Sequence, residues 1–285
     1  MSQIKIKKYP KLREVNDVGP LIKFGAVIAL CVLLIPVFIV VLTGLNSGDH
    51  LTFPPEGLST RWIIAFFKSE VFLSAFLFSF GLALITMIIS TILGTMAAIF
   101  ITRFDFPGMS FLRALFLSPL ILPGIVLGLA LYVFYITSGS GLARTFPGMV
   151  IGHVLVTLPY VIGTVSAALF NFDVNLEQAA RSLGASPLQA FRKVTLPNIS
   201  NGVMAGSIFA FIVSFGQFDV SLFMATPGNT PLPIALYWSL RYTFEPTAAA
   251  AGIFAILLVV TSMLITAKLV NLKTVSYTHL RAHET

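Results

Sequence analysis

Two ionisable side chains lie inside long apolar stretches of this chain, where a charge is costly and usually serves a function. His153 stands near the start of one stretch and Asp219 towards the end of another. A carboxylate at Asp219 can attract a cation that enters a substrate pathway from solvent, or it can be an ordinary solvated carboxylate at a helix end. His153 fits a hydrogen-bonded packing residue better than a functional one.

Motifs for catalysis and nucleotide binding are missing from the sequence. It has no Gly-x-x-x-x-Gly-Lys-Ser/Thr loop for phosphates, no His-Glu-x-x-His and no Gly-x-Ser-x-Gly. Its single cysteine, Cys31, allows neither an intrachain disulfide nor a cysteine metal cluster. We therefore expect no catalytic residue, no bound metal and no cofactor in this chain, and an intramembrane enzyme is disfavoured.

A polar segment from Leu176 to Pro197 interrupts the apolar pattern and reads as helix, turn, helix. Asn175 can cap a first short helix, with Gln178 as the return partner of a capping box. Gly184 can end that helix in a left-handed turn. Ser186 can then cap a second helix.

The second helix carries its own capping signals, because Pro187 follows Ser186 and Gln189 can close another capping box. Both helices are too short to be stable alone in water, so they need a partner surface. Their shared faces are small and apolar: Leu176, Ala179, Ala180 and Leu183 on the first, and Leu188, Phe191 and Val194 on the second. This pattern indicates a docking surface outside the membrane.

The segment resembles the EAA loop of permease subunits of binding-protein-dependent ABC importers. That loop reads Glu-Ala-Ala, three residues, Gly, nine residues, Ile, one residue, Leu-Pro, and the matching positions here are Ala179, Ala180, Gly184, Leu196 and Pro197. Gln178 stands where the family has Glu, with Glu177 one residue earlier, and Val194 replaces Ile. The resemblance implies that Glu177, Gln178 and the matching residues couple the chain to an ATPase.

The composition is that of a membrane protein, with 56% hydrophobic residues, 10% charged residues and a mean hydropathy of +0.92. Six apolar stretches are long enough to span a bilayer, and they lie near 21–43, 71–101, 111–137, 147–170, 202–225 and 247–270. Backbone groups in lipid must be satisfied within their own segment, so we expect all six to be helices.

The distribution of lysine and arginine predicts the orientation of these spans. Thirteen such residues fall on the side that holds both termini and the 171–201 loop: Lys5, Lys7, Lys8, Lys11, Arg13, Lys23, Arg103, Arg113, Arg181, Arg192, Lys193, Lys268 and Lys273. The opposite side has four, namely Arg61, Lys68, Arg144 and Arg241. Both termini and the polar segment are therefore expected in the cytoplasm. The net charge of +7 follows from this topology and does not indicate nucleic-acid binding.

Prolines and an outer loop suggest a translocation pathway. Pro119 and Pro123 in the third stretch and Pro159 in the fourth predict kinked or broken helices, which serve a pathway or merely packing. The loop 226–246 combines turn residues with an apolar stretch containing Tyr237 and Trp238. Over roughly residues 70–270 the chain resembles the spermidine/putrescine-type branch of the permease family, whose substrates are mostly cationic polyamines.

These patterns divide the chain into four parts. Residues 1–20 form an N-terminal tail, 21–70 the first span with an outer loop, and 71–270 the permease core. Residues 275–285 are polar and aperiodic, and they resemble a non-native extension rather than a natural tail.

The sequence therefore predicts an all-α membrane protein with six transmembrane helices, similar to the bundle of type I ABC importer permeases, with a cytoplasmic coupling helix pair. The resemblance implies a bacterial inner-membrane subunit whose partners are an ATPase dimer that uses ATP, a second permease subunit and a periplasmic binding protein. The alternative is a secondary transporter or channel that needs no ATPase. The exact substrate and the identity of the second permease stay open.

Overall fold

The computed structural model describes the backbone of residues 20–281 and the side chains of residues 20–268. Within this range the chain is helical, as the sequence predicts. In order, the elements are α1 (Pro20–Gly44), α2 (Arg61–Lys68), α3 (Glu70–Arg103), α4 (Met109–Ile121), α5 (Gly124–Thr137), α6 (Phe146–Phe170), α7 (Val174–Ser182), α8 (Pro187–Ala190), a π-helical turn (Phe191–Thr195), α9 (Leu196–Phe215), α10 (Asp219–Met224), α11 (Leu232–Tyr242) and α12 (Pro246–Arg281).

Among the described residues, five segments are long and apolar enough to cross a membrane: α1, α3, α6, the segment from α8 through α9, and α12. The third predicted span, 111–137, is instead divided into α4 and α5, which are bent by 106° relative to each other. Counting this pair as one span gives the six that the sequence predicts.

The break between α4 and α5 lies at Pro123, which caps α5. Leu122 precedes this proline and is extended, because the proline ring disfavours helical backbone in the residue before it. Pro119 and Pro159 do not end their helices, since α4 continues through Pro119 and α6 through Pro159. Pro159 therefore does not break its helix.

The centre of the bundle is formed by α3, α6 and α9, which pack against one another. Helix α3 makes this possible with a buried stripe of small side chains spaced three or four residues apart: Ala75, Ser79, Ala83, Thr86, Ser90, Gly94 and Ala98. Small residues let helix backbones approach closely in a membrane. On the outside of this core, α1 packs against α12.

The fifth span ends earlier than predicted. The sequence places it at 202–225, but α9 ends at Phe215 with Gly216 as its C-cap, and the chain turns before α10 begins at Asp219. The apolar run continues through this turn, which is why hydrophobicity alone did not reveal it. Helix α10 then packs against α5 and α6.

Parts of the two predicted tails lie outside the described residues. Residues 1–19 of the tail at 1–20 lie outside the described residues, as do residues 282–285 of the proposed non-native extension at 275–285. The backbone of α12 continues to Arg281. Between α1 and α3, the predicted outer loop contains the short helix α2, which packs against α3 and α12.

Candidate functional site

Helix α7 begins two residues before the position that the sequence predicts. Its cap is Asp173, whose Oδ1 accepts a hydrogen bond of 3.0 Å from the Asn175 backbone N–H. The predicted Asn175 cap with Gln178 as return partner is therefore wrong. With Asp173 as the cap, the third helical position is Leu176, which has no polar group to return a hydrogen bond. A carboxylate at this end also suits the positive pole of the helix.

The turn after α7 follows the prediction closely. Gly184 has φ +93°, the left-handed conformation that favours glycine. Both halves of the second capping box are present, because Gln189 N–H donates to Ser186 Oγ over 3.3 Å and Ser186 N–H donates to Gln189 Oε1 over 2.9 Å. Pro187 occupies the first turn of α8.

The sequence suggests that the second short helix is an isolated element, but the structure shows that it is not. Helix α8 continues through the π-helical turn into α9, so it forms one end of a membrane helix. Leu196 N–H donates to the Phe191 carbonyl five residues earlier, and Pro197 has no N–H to donate. This missing donor suits the π-helical turn, which Leu196 and Pro197 directly follow.

Glu177 points into the bundle rather than towards solvent. Its carboxylate receives two hydrogen bonds from Arg103 at the end of α3, with Nη1–Oε1 at 3.1 Å and Nη2–Oε2 at 2.6 Å. The buried Thr195 hydroxyl of the π-helical turn also donates to Glu177 Oε2. The side chain of Glu177 is only 13% exposed. We call Arg103, Glu177 and Thr195 the anchor cluster.

The anchor cluster joins three elements, namely α3, α7 and the start of the α9 span. Hydrogen bonding from the Arg103 guanidinium holds the pKa of Glu177 below its usual range, and the Thr195 hydroxyl and the charges of Arg103 and Arg181 act in the same direction. Glu177 is therefore ionised at neutral pH, and the ion pair persists. Sequence reasoning missed Arg103 and Thr195 as partners, because they lie 74 and 18 residues from Glu177.

The opposite side of the helix pair is open. Gln178 and Ala179 are exposed, Ala180 is half-buried, and Leu183 is 90% exposed. Two further apolar side chains, Leu176 and Leu188, are exposed with them. A shallow groove of 460 Å³ runs beside them and is lined by Gln178, Arg181, Ser182, Ala185 and Pro187. We call Leu176, Gln178, Ala179, Leu183 and Leu188, with this groove, the docking surface.

Asp219 lies where the break between α4 and α5 meets the turn between α9 and α10. It is half-buried at the start of α10, and its carboxylate sits against Gly124 at the start of α5, where an added Cβ would come within 2.0 Å of Oδ2. Only glycine leaves room for the carboxylate here. The first amides of α5 have no partner within their helix, and the positive pole of the helix favours an anion at this place.

His153 has the packing role that the sequence suggests. It is fully buried in α6, with Nδ1 at 2.9 Å from Ser214 Oγ of α9 and Nε2 at 3.0 Å from Ser221 Oγ of α10. Ser221 donates its own proton to the Gln217 carbonyl, so Nε2 carries the hydrogen and Nδ1 accepts from Ser214. His153 thus fastens both sides of the turn between α9 and α10 to α6. Pro159, six residues further along α6, is buried.

The structure defines a class of protein: a bundle of membrane helices with an exposed helix pair that is anchored at one end of the bundle, as in a membrane transport subunit. Residues 90–275 match the family described as "Binding-protein-dependent transport system inner membrane component". The chain belongs to this family, which confirms the resemblance noted in the sequence.

Similar proteins include the spermidine/putrescine transport system permease protein PotC of Escherichia coli (strain K12), 28% identical over 253 residues, which cover 87% of this chain and 95% of that protein. The putrescine transport system permease protein PotI of the same organism is 30% identical over 216 residues, covering 74% and 76%. The trehalose transport system permease protein SugB of Mycobacterium tuberculosis (strain CDC 1551 / Oshkosh) is 34% identical over 189 residues, covering 65% and 68%.

Solved structures that share the fold include two ABC transporters. A bacterial ABC transporter that imports the acidic polysaccharide alginate has a chain with a TM-score of 0.65 at 16% identity, covering 87% of this chain and 94% of that one. A chain of the MetNI methionine ABC transporter, in an inward facing conformation, has a TM-score of 0.57 at 18% identity, covering 71% and 98%. The fold is therefore that of an ABC importer permease, and the chain is a multi-pass transport subunit of the inner membrane.

Proposed function

We propose that this chain forms part of the substrate pathway of an ATP-driven importer and that its docking surface binds a cytoplasmic ATPase dimer. A second permease subunit would complete the pathway, and a periplasmic binding protein would deliver the substrate. The observation that carries this proposal is the contrast between the two sides of α7. One side is exposed and apolar around Leu183, and the other is tied to the bundle through Glu177.

This arrangement suits the transfer of motion. An ATPase that closes on binding ATP would push the docking surface, and the anchor cluster would carry the displacement to α3 and α9. A loose loop would dissipate the same push, because side chains without fixed partners reorient instead of moving their neighbours. The chain itself binds no cofactor in this proposal, and ATP is used by the partner. Both termini would be cytoplasmic, on the side of the docking surface.

A cationic polyamine is the substrate that we propose. PotC and PotI, whose names specify spermidine and putrescine, are similar over most of this chain. SugB, a trehalose permease, shows that a neutral solute is the competing assignment. Comparing uptake of spermidine with uptake of trehalose by one reconstituted transporter decides between them.

The docking role is tested by replacing an exposed apolar side chain with a charge. We expect Leu183→Asp to reduce recovery of the ATPase with the affinity-purified chain at least about fivefold, since a leucine buried in an interface contributes about 1.5–3 kcal/mol. Leu58→Asp is the matched control, because Leu58 is 72% exposed in the loop before α2, away from the docking surface. It should leave ATPase recovery unchanged.

Equal recovery of the ATPase with Leu183→Asp and with the parent chain would contradict the docking role. Because the ATPase is a cytoplasmic protein, its binding to this surface also tests the proposed orientation. If the chain carries out ATP-independent uptake without any bound ATPase, it functions as a secondary transporter or channel instead.

Asp219 is proposed as a pathway residue that attracts a cationic substrate. Asp219→Asn keeps the shape of the side chain and its ability to accept hydrogen bonds near α5, but removes the charge. Two unit charges about 6 Å apart attract by roughly 3 kcal/mol at an effective dielectric constant of 20, and solvent screens part of this. We expect spermidine uptake to slow about threefold, with ATPase recovery unchanged. Uptake at the parent rate would leave Asp219 with a structural role only.

A further inference from the structure

A second site candidate lies at the other end of α3 from the anchor cluster. Helix α3 has 34 residues, so its ends are about 50 Å apart at 1.5 Å per residue. Beside its first turns is an open cavity of 570 Å³, which α3 forms together with the 226–231 loop, α11 and the segment that follows α11. This volume is within the usual range for small-molecule sites.

One wall of the cavity is aromatic. Trp238 and Tyr242 are one turn apart on α11, on the face that also carries Ala235 and Ser239, and all four line the cavity. Trp238 is 40% exposed and Tyr242 is 77% exposed, so both side chains are accessible from solvent. Aromatic faces attract ammonium groups and also cover aliphatic chains.

Four of the hydroxyl groups that line the cavity have already donated their own hydrogens and can only accept hydrogen bonds from a ligand. Ser74, Thr230 and Thr243 each donate to the carbonyl of the residue four positions earlier. Because the Thr243 hydrogen is committed in this way, the 3.2 Å contact between Ser239 Oγ and Thr243 Oγ1 uses the hydrogen of Ser239. The lone pairs that remain on these four oxygens therefore suit a ligand that donates hydrogens.

The only charge among the described lining residues is negative. Glu245 lies at the rim of the cavity just before α12, and no described lining residue is lysine, arginine or histidine. An ammonium group brings three hydrogen donors and a positive charge, which match both the hydroxyl acceptors and this carboxylate. A neutral sugar or an anion would gain less, because a sugar brings no positive charge to pair with the carboxylate and an anion is repelled by it.

We propose that this cavity binds one end of an oligoamine, with a primary ammonium between Glu245 and the hydroxyl acceptors and the attached methylene chain across Trp238 and Tyr242. The site deepens the proposed function and rests on it, because it gives a cationic substrate a place to bind on the side opposite the docking surface. It is distinct from Asp219, which lies against the start of α5.

The test uses the full chain, purified with the subunits that accompany it into phosphatidylcholine nanodiscs, without binding protein or ATP. Equilibrium binding of radiolabelled spermidine is measured, and binding to empty nanodiscs is subtracted. We expect Glu245→Gln to raise the dissociation constant about fivefold and Trp238→Leu about threefold. The matched control is Glu70→Gln, because Glu70 is an exposed carboxylate in the first turn of α3 that does not line the cavity. It should bind spermidine like the parent chain.

Several results would overturn the site. Spermidine binding that falls equally in Glu245→Gln and Glu70→Gln would show general surface attraction, and trehalose binding as tight as spermidine would show that the cavity does not select an ammonium. If Glu245→Gln binds spermidine normally but captures the binding protein less well, the cavity is a protein contact. If spermidine does not bind in nanodiscs but the assembled transporter still imports it with ATP, the site is wrong and the proposed function stands. Absence of ATP-driven uptake from the assembled parent transporter would instead contradict the proposed function.

Discussion

Replacing Glu177 with glutamine is expected to lower ATP-driven uptake about thirtyfold while the ATPase stays bound. The substitution keeps the size of the side chain but removes the charge that receives two hydrogen bonds from Arg103. Hydrogen bonds to a charged group contribute about 1.5–3 kcal/mol, and a value near 2 kcal/mol corresponds to about thirtyfold in an equilibrium. Arg103 would also keep a charge without its partner, at a position that is only partly exposed.

The readout for this variant is the ratio of transport to ATP hydrolysis in proteoliposomes. If the anchor cluster transmits motion, hydrolysis continues while uptake falls, because the docking surface itself is unchanged. Asp173→Asn is the matched control on the same helix, since asparagine caps a helix about as well as aspartate and Asp173 is exposed. It should transport at close to the parent rate.

A double-mutant cycle separates the ion pair from its surroundings. Once Glu177→Gln has broken the pair, adding Arg103→Gln should cost little more, because the two residues act on the same interaction. If the two losses simply multiply, then Arg103 and Glu177 contribute independently and the anchor cluster does not act as one unit. Uptake by Glu177→Gln at the parent rate would exclude the cluster from coupling.

The parts of the site that depend on neighbouring residues were predictable from the sequence. The left-handed turn at Gly184 and the capping box of Ser186 and Gln189 follow from side-chain chemistry within four residues, and both are present. The cap of α7 shows the limit of such reasoning. Asp173 and Asn175 are both good capping residues, and the choice between them depends on where the chain leaves α6, which local sequence does not specify.

The anchor cluster illustrates what local chemistry cannot reveal. Nothing near Glu177 in the sequence indicates that its partner is Arg103. The sequence identifies Arg103 only as one of the positive charges that predict the orientation of the spans. The pair exists because α3 ends beside α7 once α3, α6 and α9 have packed together. The position of Asp219 is a second example. The apolar run continues past Gly216 and predicts that Asp219 lies inside a span, but α9 ends at Phe215, before this residue.

Gly184→Val is expected to reduce transport about tenfold through the backbone alone. Gly184 has φ +93°, and nothing lies within 4 Å of a Cβ added there, so a larger side chain would meet no neighbour. The left-handed conformation costs an ordinary residue roughly 1–2 kcal/mol, and a β-branched residue is among the least tolerant. The turn would change its shape to relieve this strain. In about one molecule in ten, α7 and α8 would keep the alignment that forms the docking surface.

Two comparisons separate this effect from general destabilisation. Asparagine tolerates the left-handed conformation, so Gly184→Asn should recover most of the transport that valine loses. Gly139, in the loop after α5, also has positive φ and open space around it, so Gly139→Val imposes a similar strain away from the docking surface. It should transport nearly normally at equal membrane levels. If Gly139→Val and Gly184→Val lose transport equally, the loss reflects strain anywhere in the chain, and the turn at Gly184 has no special part in coupling.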